Sequence, residues 1–154
     1  MMRKFLTPVL CLSALGLAAC SEHPRLAANS KICTDFKASK AVVTPAPIDD
    51  GSTPVDECVR RWAYSLASSR DSADVVSEAV VAACNTSLSR WNRQAIQLPT
   101  DGAAAASLTT GEPTTPIAEH NTFTHSRALL YVVQARAGAC APPPATNGVP
   151  DGVS

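Results

Sequence analysis

Two stretches of helical periodicity, each with a cysteine on its apolar stripe, are separated by only five polar residues. No other feature of the chain restricts its fold so closely. From Val55 to Leu66, steps of about 100° put Val55, Cys58, Val59, Trp62 and Leu66 in one stripe. Asp56, Glu57, Arg60 and Arg61 share the opposite face, and Asp56–Arg60 and Glu57–Arg61 are acid-first i,i+4 pairs, the favourable order. Thr53 as N-cap, Pro54 at the first helical position and Asp56 in the first turn supply a start signal. After Ser68 to Ser72 (SSRDS) a second stripe begins: Val76, Val80, Ala83, Cys84, Ser87, Leu88 and Trp91. It persists to about Gln97, before Pro99 and Gly102. So short a connection predicts an antiparallel helical hairpin.

The hairpin also predicts a covalent bond. With the turn centred between Arg70 and Asp71, Cys58 and Cys84 stand at nearly equal distances from it, hence at nearly the same height. Both face inward, so a Cys58–Cys84 disulfide is expected, and Cys33–Cys140 follows by elimination. The elimination depends on the fate of the other two cysteines, Cys11 and Cys20.

Arg3 and Lys4 precede a short apolar run, Phe5 to Ala18, which is too short for a spanning helix and reads as a signal peptide over residues 1–19. Its end, Leu17-Ala18-Ala19-Cys20, resembles the lipobox of bacterial prolipoproteins, a resemblance confined to this segment. The resemblance implies cleavage after Ala19 and acylation of Cys20. Several acyl chains hold where one does not, at about 0.8 kcal/mol per buried methylene. Ser21 in place of aspartate after the cysteine implies the outer membrane, facing the periplasm. Cys11 then leaves with the signal peptide, and four cysteines remain in an oxidising compartment. No C-x2-C or C-x-x-C-H spacing points to zinc or haem.

Residues 20–52 read as a lipidated tether and irregular lead-in, 53–140 as the helical domain, and 141–154 as a Pro/Gly-rich tail expected to be extended or disordered. Residues 98–116 read as a long surface loop. Thr115 and Pro116 start a third helix that runs to about Gly138, with Leu129, Leu130, Val133, Ala137 and Cys140 as its main stripe. Tyr131 and Val132 point elsewhere, so burial on more than one side is expected. The expected fold is all-α and three-helix-bundle-like. In so small a core, disulfides supply a large share of the stability.

Chemistry is sparsely signposted. His23 falls in the tether, and His120 and His125, five apart, diverge by about 140° on a helix and share no metal face. No nucleophile elbow, zinc-protease motif, phosphate loop or dinucleotide fingerprint occurs. Removal of Arg3 and Lys4 leaves 11 basic and 13 acidic side chains, which does not suit nucleic acid. Trp62 and Trp91 read as core. Tyr64, in the middle of the charged face of the first helix, reads as an exposed contact for a protein partner. The expected function is non-enzymatic, without metal or cofactor: a membrane-anchored envelope lipoprotein presenting a helical interaction module to an unknown protein partner. A periplasmic inhibitor or immunity-type binder is the alternative. An envelope hydrolase would require His120 or His125 to meet a serine or a carboxylate in a pocket.

Overall fold

The structure, a computed structural model, describes residues 29–36, 51–97, 105–107 and 110–153. The signal segment, Cys20, His23 and most of the tether lie outside these residues. Four helices pack together: α1 (Ser52–Leu66), α2 (Ala73–Ala83), α3 (Asn85–Gln97) and α4 (Pro116–Gly138). One 3-10 turn, Ser30–Ile32, precedes them. The helix expected from Ala73 to Gln97 is two helices, interrupted at Cys84, which has φ −97° and ψ 9°. The interruption lasts a single residue, because the Cys84 carbonyl accepts from the Leu88 N–H at once. The Cα atoms of Cys84 and Cys58 are 5.9 Å apart, the ordinary separation across a disulfide.

The disulfides are Cys58–Cys84 and Cys33–Cys140, the pairs expected from the hairpin register and by elimination. Helix α4 packs against all three other helices. Asp56 meets Tyr131 while Ala67 meets Arg136, so α4 runs in the sense of α1. Glu78 meets His125 and Trp91 stacks on His120, so it runs against α2 and α3. Thr115 caps α4 through Oγ1, which accepts from the Ala118 N–H at 3.2 Å, and Pro116 occupies the first turn, where no N–H is needed. The other end closes on Ala139 in the left-handed region, with the Cys140 N–H donating back to Ala135 O. Helix α1 begins at Ser52, one residue before the expected cap, with Gly51 flanking it and no side-chain cap. Pro54 still falls within the first turn, where its missing N–H costs nothing.

Several expectations reverse. Leu129, Leu130 and Val133, expected to face the core, are exposed, and α4 instead buries Thr124, Ala128, Tyr131, Val132 and Ala135. Tyr64, expected outside, is 2% exposed, while Trp62 and Trp91 are only half-buried against the core. The reason is that α1 is covered on nearly every side, by three helices, the lead-in and the C-terminal segment. Its charged face is therefore not a solvent face. Arg61 is buried, with its guanidinium donating to Asp151 O at 2.7 Å, pairing with Glu57 and lying over the Phe36 ring.

The tail that holds Asp151 is ordered, contrary to expectation. Ala145–Thr146 pairs with Val149–Pro150 in a small antiparallel hairpin. Asn147 and Gly148 turn it, both with positive φ (52° and 80°), the conformation that Asn-Gly favours in two-residue loops. Within the stretch expected as a loop, Ala105–Ala106 similarly pairs with Pro113–Thr114.

Candidate functional site

The C-terminal end of α1 is closed by a residue distant in sequence. Arg136, in the last turn of α4, donates from Nε to Ala67 O at 3.0 Å and from Nη2 to Ser69 O (3.1 Å) and Asp71 O (2.9 Å). Ala67 flanks the end of α1, Ser69 and Asp71 lie in the α1–α2 turn, and a cation at a helix C-terminus is favourable. Ser69 Oγ donates to Asp71 Oδ2 at 2.6 Å and accepts from the Asp71 N–H, which stiffens the α1–α2 turn.

Between this turn and the end of α4 lies a groove of about 1070 Å3. Tyr64 and Ala135 are its buried residues, and Ser68, Arg70, Asp71, Ser72 and Pro142 stand exposed around it. Cys140, tied to Cys33, lines it as well. The groove is thus fixed by a disulfide and by one guanidinium. It offers hydroxyls, a carboxylate and guanidinium groups above the buried Tyr64 ring, and no histidine lines it. Such a lining can hold a polypeptide segment by hydrogen bonds and apolar contact.

Tyr64 is therefore not a surface contact but part of the groove's foundation. Its hydroxyl accepts from the Thr34 N–H at 3.1 Å, and its ring meets Phe36 edge to face at 5.1 Å. It fastens the lead-in to α1.

The histidines occupy separate places. His120 stacks on Trp91, centroids 3.5 Å apart, and its Nδ1 lies 2.8 Å from Asn92 Oδ1. Burial lowers its pKa below the ordinary histidine value, so the neutral ring donates Nδ1–H to Asn92. Trp91 also meets Phe123 edge to face at 5.6 Å. His125 lies 3.4 Å from Glu78, on α2, and both side chains are exposed. His120 faces α3 and His125 faces α2, so α4 brings them to no common site. Among the described residues, no group of three or more His, Cys, Asp or Glu could hold a metal ion.

Tyr131, Asp56 and Arg127 form a third cluster. The Tyr131 hydroxyl donates to Asp56 at 2.9 Å, and Arg127 Nε lies 3.4 Å from the same carboxylate. Burial first, and the bond to Asp56 second, push the tyrosine pKa up. This cluster joins α1 to α4 as a packing device.

Arg136 and Pro142 were not distinguishable as groove residues in the sequence, because their meeting with the α1–α2 turn is a tertiary fact. Cys20 lies outside the described residues. The two disulfides indicate an oxidising, extracytoplasmic environment for the folded domain. No helix among the described residues is long and apolar enough to cross a membrane. No known protein family, curated protein or solved structure matches the chain.

Proposed function

We propose that this is a lipoprotein of the bacterial cell envelope, acylated on Cys20, held in the outer membrane facing the periplasm, and working by binding a protein partner rather than by catalysis. The observation that carries the binding role is the groove between the α1–α2 turn and the end of α4, held rigid by Arg136 and by Cys33–Cys140. A preformed concavity loses little conformational entropy when a partner segment enters it. Its lining of hydroxyls and guanidinium groups suits polar recognition. The Leu17–Cys20 motif supports the anchor, and the disulfides agree with a periplasmic setting.

Two measurements test the reading. Mass spectrometry of the mature N-terminus should find acylated Cys20, and Cys20→Ser should move the protein from the detergent phase to the aqueous phase. A photo-crosslinking residue at Ser68 or Ser72 should trap a specific envelope protein, while one at Ala79, on the exposed side of α2, should not. Equal trapping at all three positions would remove the groove from consideration. An unmodified Cys20 would remove the anchor.

A further inference from the structure

We infer that the outward face of α4, with Ile32 beside it, seats against the lipid bilayer to which the chain is anchored. Leu129, Leu130 and Val133 are 42%, 50% and 49% exposed, and on the helix they lie opposite the buried stripe of Ala128, Val132 and Ala135. Ile32, 37% exposed, adjoins the same helix. The Gln134 amide donates to Ile32 O, and a Cβ built at Gly138 would come within 3.2 Å of Ile32 Cγ1. The result is an apolar surface next to the point where the tether reaches the domain.

Three observations select the occupant. The patch offers roughly 300 Å2 of apolar side chain, a size that monomers carry, whereas a stable dimer needs about 800 Å2 from each partner. A second copy of the chain is therefore poorly supported. Position comes next. Cys20 stands nine residues before Asn29, so a bilayer holding its acyl chains lies within about 30 Å of the 3-10 turn. Leu130 is only eight residues from Gly138, about 12 Å along the helix, so the patch is inside that reach. The third is coupling. Because the anchor already confines the domain to the membrane surface, contact with lipid is intramolecular, and a patch too small for a free protein suffices. Exposed Lys31, next to Ile32, suits anionic headgroups.

The inference rests on acylation of Cys20. The acylated full chain would be reconstituted in vesicles of phosphatidylethanolamine and phosphatidylglycerol, with and without brominated acyl chains, as Leu130→Trp and as Ala79→Trp. Ala79 is exposed on α2 and serves as the control position. The Leu130→Trp emission added to that of Trp62 and Trp91 should shift to the blue and lose about half its intensity to brominated lipid. Ala79→Trp should show neither effect, and Leu130→Trp combined with Cys20→Ser should lose both. Flotation with the vesicles but no quenching at position 130 overturns the seating of α4 and leaves the anchor intact. Equal quenching at positions 130 and 79 also overturns it, because no one face would then be chosen. Absence of flotation with an unmodified Cys20 overturns both readings.

Discussion

Replacing Arg61 by methionine should release the C-terminal hairpin while leaving the helices folded. The contacts of the guanidinium include a charge-assisted bond to Asp151 O at 2.7 Å, an ion pair with Glu57, and a stack over Phe36 at 5.2 Å. The first contributes about 1.5–3 kcal/mol and the third about 1 kcal/mol. The second contributes little, since the Glu57 side chain is 27% exposed and keeps Arg60 as a partner. Methionine returns part of this sum. It fills the apolar path of the arginine stem and avoids the cost of holding a charge out of water, a cost visible in the lowered Arg61 pKa. The net loss should be about 1–2 kcal/mol, concentrated in residues 143–153, where Gly152 packs directly on the guanidinium. Hydrogen exchange reads it at one amide, Asp151 N–H, which donates to Pro144 O at 2.8 Å and should exchange about tenfold faster. Urea unfolding reports the rest of the fold. Arg61→Lys should fall between, since an ammonium cannot reach Asp151 and Glu57 with the same fork. Unchanged protection at Asp151 in Arg61→Met would refute the reasoning, because the hairpin would then be held by something other than this side chain.

Removing the Cys58–Cys84 bond as Cys58→Ala/Cys84→Ala should cost about 3–4 kcal/mol in denaturant unfolding, the loop-closure entropy of a bond spanning 26 positions; a loss under about 1 kcal/mol would contradict it. Gly51→Ala should destabilise by about 1–3 kcal/mol and change the Trp91 emission, because the added Cβ would collide with the Trp91 ring; an unaltered midpoint would show that the indole gives way freely. His120 has a folded pKa below its unfolded one, so the unfolded chain takes up the proton first. Its contribution is whole above about pH 6.5 and is lost as pH falls through the lowered folded value, and His120→Gln should flatten that part of the stability profile; an identical acid limb in the variant would assign the loss to other groups.

The hairpin was legible in the sequence because its information is local. Stripe, cap and turn length are read over a dozen residues, and a register fixed by one turn carries the Cys58–Cys84 pairing with it. The break at Cys84 was not legible, since the stripe continues across it in phase and the single non-helical residue leaves no mark in composition. Tyr64 is buried for a reason that lies outside its own helix. A charged face signals solvent only when nothing else covers the helix, and here Arg61 is buried beneath a hairpin that arrives from residues 145–150. The signal for that hairpin was present in Asn147-Gly148, the pair best suited to a tight turn, but a proline-rich setting concealed it. The groove depends on Arg136 meeting carbonyls 65 to 69 residues away, contacts with no local trace.

The ambiguity of α4 in the sequence and the apolar face that the helix exposes have one cause. Leu129, Leu130, Tyr131, Val132 and Val133 are consecutive, and a run of five apolar residues covers more than a full helical turn. Such a run has no polar side from which to infer the inward one, so periodicity cannot decide which residues meet the core. Packing decides instead. Tyr131 turns inward because its hydroxyl finds Asp56, and Val132 because it lies between Ala128 and Ala135, small residues that let α4 approach its neighbours closely. With those four positions committed, Leu129, Leu130 and Val133 must face outward, since 100° steps leave them no other direction. A helix needing only to pack on this core would do as well with polar residues at those three sites. Their apolar character is unaccounted for by the fold, and the proposed seating of this face on the bilayer would supply the account, with lipid as a second apolar phase for α4.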